Sequence, residues 1–72
     1  MKTAIYPGTF DPITYGHIDV IKKSLNIFDR VIVATTDNTN KKYHFSIEDR
    51  IDIINNSLFQ DLKLNKNKIK VI

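Results

Sequence analysis

The chain has 72 residues, 42% of them apolar and 26% charged, the balance of one small globular domain and not of a disordered segment. It has no cysteine, which removes disulfide scaffolds and cysteine-based zinc sites, and no apolar run near the roughly 18 residues of a membrane span. The net charge of +3 falls wholly within residues 41–72, where seven basic side chains stand against four acidic ones; residues 1–40 carry four of each.

Met1 to Tyr6 contains no secretory apolar core, so no signal peptide is expected and the cytoplasm is the default location. Lys2 to Tyr6 is predicted as a short strand, ended by Pro7-Gly8. Pro7, Gly8, Pro12 and Gly16 punctuate residues 7–16, which predicts a loop. A helix should begin near Gly16, because Ile18, Ile21, Leu25 and Phe28 form one amphipathic stripe. Arg30 to Thr36 is a β-branched apolar run, the pattern of a strand buried on both faces. Asp37 to Tyr43 is polar and loop-like. Ser46 then offers an N-cap with Asp49 three residues on, a capping box with Asp in place of Glu. Ile47, Ile51, Ile54 and Leu58 predict a second amphipathic helix to about Phe59 or Gln60. A Lys/Asn-rich turn covers residues 61–67, and Ile69 to Ile72 reads as a third strand.

The order β-α-β-α-β predicts an α/β protein. Its fold class is a Rossmann-like parallel sheet, a βαβαβ half-domain with right-handed crossovers and strand order 3-2-1. Both crossovers then step the same way, so both helices fall on one face of the sheet. The other face is left bare, and a domain this small already buries only about 60% of its unfolded surface. A homo-oligomer, or association through the uncovered face, is the expected consequence.

The loop from Tyr6 to His17 joins the C-terminal end of the first strand to the N-terminus of the first helix. Ligands of open α/β sheets bind there, and a helix N-terminus offers unpaired N–H groups and partial positive charge to an anion. Gly8 is expected to let the backbone approach a bound group, and Gly16 to allow a sharp turn into the helix. His17 stands in the first turn. Read blandly, His17 is a helix-terminal hydrogen-bonding residue, Thr9 a turn hydroxyl, and Lys41 and Lys42 solvated loop charges. Asp11 is expected to hold the loop by accepting backbone N–H groups. His44 is expected to be exposed. Phe10, Phe28, Phe45 and Phe59 are expected in the core, and the Lys63–Lys70 cluster at a solvated turn.

The segment PGTFDPIT followed by Tyr15-Gly16-His17 resembles the bacterial phosphopantetheine adenylyltransferases, within the nucleotidylyltransferase superfamily. Thr14 to His17 matches the superfamily's (T/H)xGH signature, and KKxxFSxExR from Lys41 to Arg50 is similar to the same family's next segment. The resemblance runs from residue 1 to about residue 53. It implies adenylyl transfer from ATP to 4′-phosphopantetheine, giving dephospho-coenzyme A and pyrophosphate, by in-line attack without a covalent enzyme intermediate. It implies that His17 stabilises the transition state at the α-phosphate, that Thr9 binds the acceptor phosphate beside ATP, that the Phe10 backbone contacts ATP, and that Lys41 meets the attacking phosphate. Mg²⁺ is implied as counter-charge on the phosphates.

Members of that family are about twice as long, and the Ser/Thr-rich signature of their second half is not among these 72 residues. The resemblance therefore implies that residues 1–72 are the N-terminal half of a nucleotidylyltransferase domain, catalytically weak or dead alone. Two other readings stand beside it: a nucleotide- or phosphate-binding fragment without turnover, and a basic module for nucleic acid. The third lacks the aromatic interleaving and the motifs such modules carry.

Overall fold

The alternation of β-branched runs and 3.6-residue stripes takes shape in a computed structural model that describes residues 1–37 and 42–72. The elements are β1 (Thr3–Gly8), α1 (Tyr15–Leu25), β2 (Arg30–Thr35), α2 (Ile47–Asn55) and β3 (Ile69–Val71), with a π-helical stretch, Asn56–Asp61, continuing α2. The three strands are parallel and ordered β1-β2-β3, the predicted order read from the opposite edge. Tyr6 lies beside Val33, and Val33 beside Val71.

Because side chains alternate across a strand, this register puts Ala4, Tyr6, Val31, Val33, Ile69 and Val71 on one face. Val31 and Val33 are fully buried there, in one core with Ile18 and Ile21 of α1 and Ile54 and Leu58 of the α2 side. Both helices therefore cover the same face, as the shared crossover direction requires. The opposite face carries Ile5, Ile32 and Lys70, and Ile5 is 66% exposed. The expectation that the β2 run is buried on both faces is thus corrected. Ile32 and Ala34 are only half-buried, since no described residue packs a second layer on that side.

β1 runs past Tyr6 through Pro7 and Gly8. It has a neighbour on one side only, and an edge strand tolerates a residue without an N–H. α1 stops at Leu25, so the last member of its predicted stripe, Phe28, packs half-buried beyond the C-cap Asn26. The second helical segment reaches Asp61, a residue or two past the predicted end at Phe59 or Gln60. Its last turn widens, with Leu62 N–H donating to the Ser57 carbonyl at 3.1 Å. Lys63 in the left-handed region (φ 54°) ends it. Ser46 caps α2 as expected, its Oγ accepting from Asp49 N–H at 3.1 Å. The return bond from the Asp49 side chain is not formed among the described residues, so the predicted box is only half present. Among the described residues no helix is long and apolar enough to cross a membrane.

Candidate functional site

The β1–α1 loop leaves the C-terminal edge of the sheet and is shaped from beneath by Phe10. This residue adopts φ 47°, and its ring is 1% exposed. The ring lies against Gly8: a Cβ built there would fall 3.0 Å from Phe10 Cζ. Gly8 therefore leaves room for the Phe10 ring, a use within the chain that stands beside its expected role as a point of ligand approach. Gly16 is the second residue of α1 and has no positive φ, so it does not make the turn into the helix. Thr14 makes that turn, with extended backbone at φ −117°, ψ 169°.

His17 stands at the mouth of this loop, half-buried. Its ring meets Phe10 edge-on at 4.9 Å between centroids, and Tyr6 at 6.2 Å. Its Nδ1 accepts the Thr14 N–H at 2.9 Å and lies 3.1 Å from Thr14 Oγ1. The Thr14 hydroxyl in turn accepts from His17 N–H at 3.4 Å. This is a capping box in which histidine fills the place usually held by Glu or Gln. With the Nδ1 lone pair engaged, the ring proton sits on Nε2, which is left to donate to a ligand. The Tyr15 and Gly16 N–H groups belong to the first helical turn and have no intrahelical acceptor. The N–H groups of Thr9 and Phe10 also meet no acceptor among the described residues. A neutral imidazole donor and four main-chain donors thus gather at one loop, an arrangement suited to phosphate oxygens.

Two long-range ties hold the loop. Asp11 is half-buried, and its carboxylate accepts the N–H groups of His44 (2.6 Å) and Phe45 (2.9 Å). Burial opposes its ionisation. The two backbone donors, the nearby His44 ring and the Arg50 guanidinium outweigh that and hold its pKa below the ordinary 3.8. The expected loop-fixing role of Asp11 is therefore what the structure contains, with the bonds reaching across to the start of α2. Arg50 supplies the second tie. It is 1% exposed and donates to the carbonyls of Thr9 (3.0 Å), Thr36 (3.1 Å) and Phe45 (3.2 Å) and to the Asp37 carboxylate (3.1 Å). Its guanidinium also lies 4.3 Å from the centroid of the Tyr43 ring.

A cleft of about 450 Å³ lined by Ile13, Thr14, Tyr15, Ile18, Ser57 and Leu62 adjoins the N-cap. It excludes Thr9, Phe10 and His17, and so lies beside the mouth of the loop. Residues 5–69 match the sequence profile of the cytidylyltransferase-like family, a stretch running from β1 into β3. The chain belongs to that family. It is similar to the phosphopantetheine adenylyltransferase of Pelagibacter ubique, 58% identical over 71 residues, which are 99% of this chain and 43% of the relative. The phosphopantetheine adenylyltransferase of Geobacter metallireducens is 50% identical over 62 residues, 86% of this chain and 38% of its own length. That of Helicobacter hepaticus is 58% identical over 55 residues, 75% and 33%. The chain thus spans well under half the length of these curated relatives.

Of the site residues expected from the sequence, the cytidylyltransferase-like fold brings His17 and Phe10 into contact and leaves Thr9 exposed in the same loop. Lys41 lies outside the described residues. Lys42 is exposed, and His44 contributes its backbone to Asp11 while its side chain is exposed. Phe10 is in the core as expected; Phe45, 39% exposed, is not. No group of three or more His, Cys, Asp or Glu side chains able to hold a metal ion gathers among the described residues, and the Asp11 carboxylate is already engaged. The donor set does not fit a protein-held Mg²⁺; an ion bound to a triphosphate would travel with that ligand. The residue missed by sequence reasoning is Arg50. Its signal was its place on the apolar stripe, three after Ile47 and four before Ile54, where a cation has to be buried and paired.

Proposed function

We propose that this chain is the N-terminal portion of an enzyme that transfers an adenylyl group from ATP to 4′-phosphopantetheine, giving dephospho-coenzyme A and pyrophosphate. An ATP-consuming biosynthetic step of this kind belongs in the cytoplasm. A phosphate oxygen of the acceptor attacks the α-phosphorus as the bond to the β-phosphate oxygen breaks opposite it, and pyrophosphate leaves. The protein's work is positioning and charge stabilisation, with no covalent intermediate. His17 Nε2–H donates to an oxygen of the α-phosphate as its charge grows. Thr9 binds the acceptor phosphate through its hydroxyl, and the Phe10 N–H contacts ATP. Lys41, which follows β2 in sequence, meets the attacking phosphate as a point charge. Mg²⁺ carried as part of the ATP substrate would supply counter-charge to the phosphates.

The observation that carries this reading is the His17 ring itself. It is held in the β1–α1 loop by Nδ1 and the Phe10 ring, and Nε2 meets no hydrogen-bond partner among the described residues. The names of the relatives supply the substrate pair. The test is pyrophosphate release from ATP and 4′-phosphopantetheine, comparing the chain with His17→Gln. Glutamine at this position still completes the capping box, so the melting temperature should hold while the rate falls by about 10² or more. An unchanged rate would reduce His17 to a helix cap. A second reading, ATP binding without turnover, is supported by the main-chain donors of the loop, which suit a phosphate whether or not it reacts. Titration of ATP with no pyrophosphate formed would establish it. We also propose association of this chain through the sheet face that carries Ile5 and Ile32.

A further inference from the structure

We propose that Arg50 is the positioning residue of the β1–α1 loop: by holding the Thr9 carbonyl it aims the Phe10 N–H outward at the bound phosphate. The inference rests on the reading of that loop as the nucleotide site.

Arg50 occupies a place in the α2 stripe that an aliphatic side chain would fill without any need for partners. A buried guanidinium there is tolerated only because its donors are satisfied, and a buried charge of this kind is weak evidence for stability as such. Its use lies in where the bonds go. Nε is spent on Phe45 and Ser46, at the start of its own helix. Nη2 takes Asp37. Nη1 bridges the carbonyls of Thr9 and Thr36, which follow the ends of β1 and β2. The planar fork therefore sets the spacing of two strand ends from a third element.

The Thr9 carbonyl and the Phe10 N–H belong to one planar peptide unit, in which they point in opposite directions. A carbonyl drawn inward to Arg50 leaves that N–H directed away from the guanidinium, where no acceptor meets it among the described residues. The orientation has to be held, since Phe10 sits at φ 47°, a conformation that a residue with a Cβ rarely adopts unsupported. The Phe10 ring, locked against Gly8, Tyr6 and His17, fixes the far side of the same residue.

The experiment is an ATP titration of the ¹⁵N-labelled chain, following the Phe10 amide, with Arg50→Met, Arg50→Lys and the core variant Ile54→Val. Arg50→Met keeps the buried volume. It should melt cooperatively, lose the left-handed Phe10 signature in its intraresidue amide–Hα contacts, and bind ATP at least about tenfold more weakly. Arg50→Lys keeps the charge without the fork and should recover less than half of that loss. Ile54→Val destabilises the fold and should leave ATP affinity unchanged, which separates positioning from stability. A folded Arg50→Met chain with native ATP affinity overturns the proposal, as does full rescue by lysine. Should Arg50→Met fail to fold, the lysine variant alone decides by the same criterion. If the unsubstituted chain binds no ATP, the nucleotide reading itself fails and the proposal falls with it.

Discussion

At the head of α1 one nitrogen of the His17 imidazole caps the helix, and the proposed function gives the other to a phosphate oxygen. Nδ1 closes the capping box with Thr14, and Nε2 meets no hydrogen-bond partner among the described residues. The bland reading of His17, a helix cap, is in the geometry, and the proposed phosphate role falls to the other nitrogen, which is why glutamine, and not alanine, is the informative replacement. Asp11 is the other residue whose chemistry is measurable alone. Its folded pKa lies below 3.8, so its ionised form is the one the fold stabilises. The contribution is complete above the unfolded pKa and disappears as pH falls through the lowered folded value. The melting temperature of the native chain should exceed that of Asp11→Asn by a constant margin above about pH 5, and the margin should close on acidification. A margin that widens in acid would show that the carboxylate is not what the two N–H groups hold.

At the scale of elements, α2 and its π-helical extension carry the core and the tie to the β1–α1 loop. Ile54 and Leu58 are fully buried on one flank, while Arg50 on the same stripe ties the loops together. A core of this size rarely supplies more than about 3–5 kcal/mol in total. Truncating Leu58 to alanine should cost about 2–5 kcal/mol, enough to unfold most of the chain at 25 °C. The loss of a cooperative far-UV transition in Leu58→Ala checks this; a native melt would mean that the π-helical stretch packs too loosely to matter. The widened turn itself has a local cause in its i to i+5 bond between Ser57 and Leu62, but nothing in the periodicity of Ile54 and Leu58 announces it.

At the largest scale, the described residues form a sheet with one covered face. Ile5, Ile32 and Ala34 lie on the other, together with Arg30 and Lys70. Such a face favours contact with another surface over contact with water. Sedimentation should therefore find concentration-dependent association, shifted toward monomer by Ile5→Glu, which puts a charge on the apolar strip beside Ile32. A monomer at all concentrations, melting cooperatively, would remove the proposed association. The bare face was legible in the order of the elements, because two successive crossovers of one hand and one direction have only one side to occupy. The error over β2 came from the run itself: a continuous apolar string says that both of its faces are unsuited to water, not that both are covered.

What the residues determined alone was local and periodic. Short apolar runs bounded by turn residues placed the three strands, the spacing of Ile18 and Ile21 and of Ile54 and Leu58 placed the helices, and the element order set the sheet. The run from Gly8 to His17 located the loop because punctuation and helix start are written in consecutive positions. Only the tertiary structure decided what holds that loop. Arg50 reaches Thr9 across 41 positions and Asp11 reaches His44 across 33, and no short-range pattern encodes bonds of that span. The same holds for the capping boxes. Thr14-x-x-His17 closes and Ser46-x-x-Asp49 only half closes, because side-chain rotamers answer to their packed neighbours, and His17 has the Phe10 ring to set its angle.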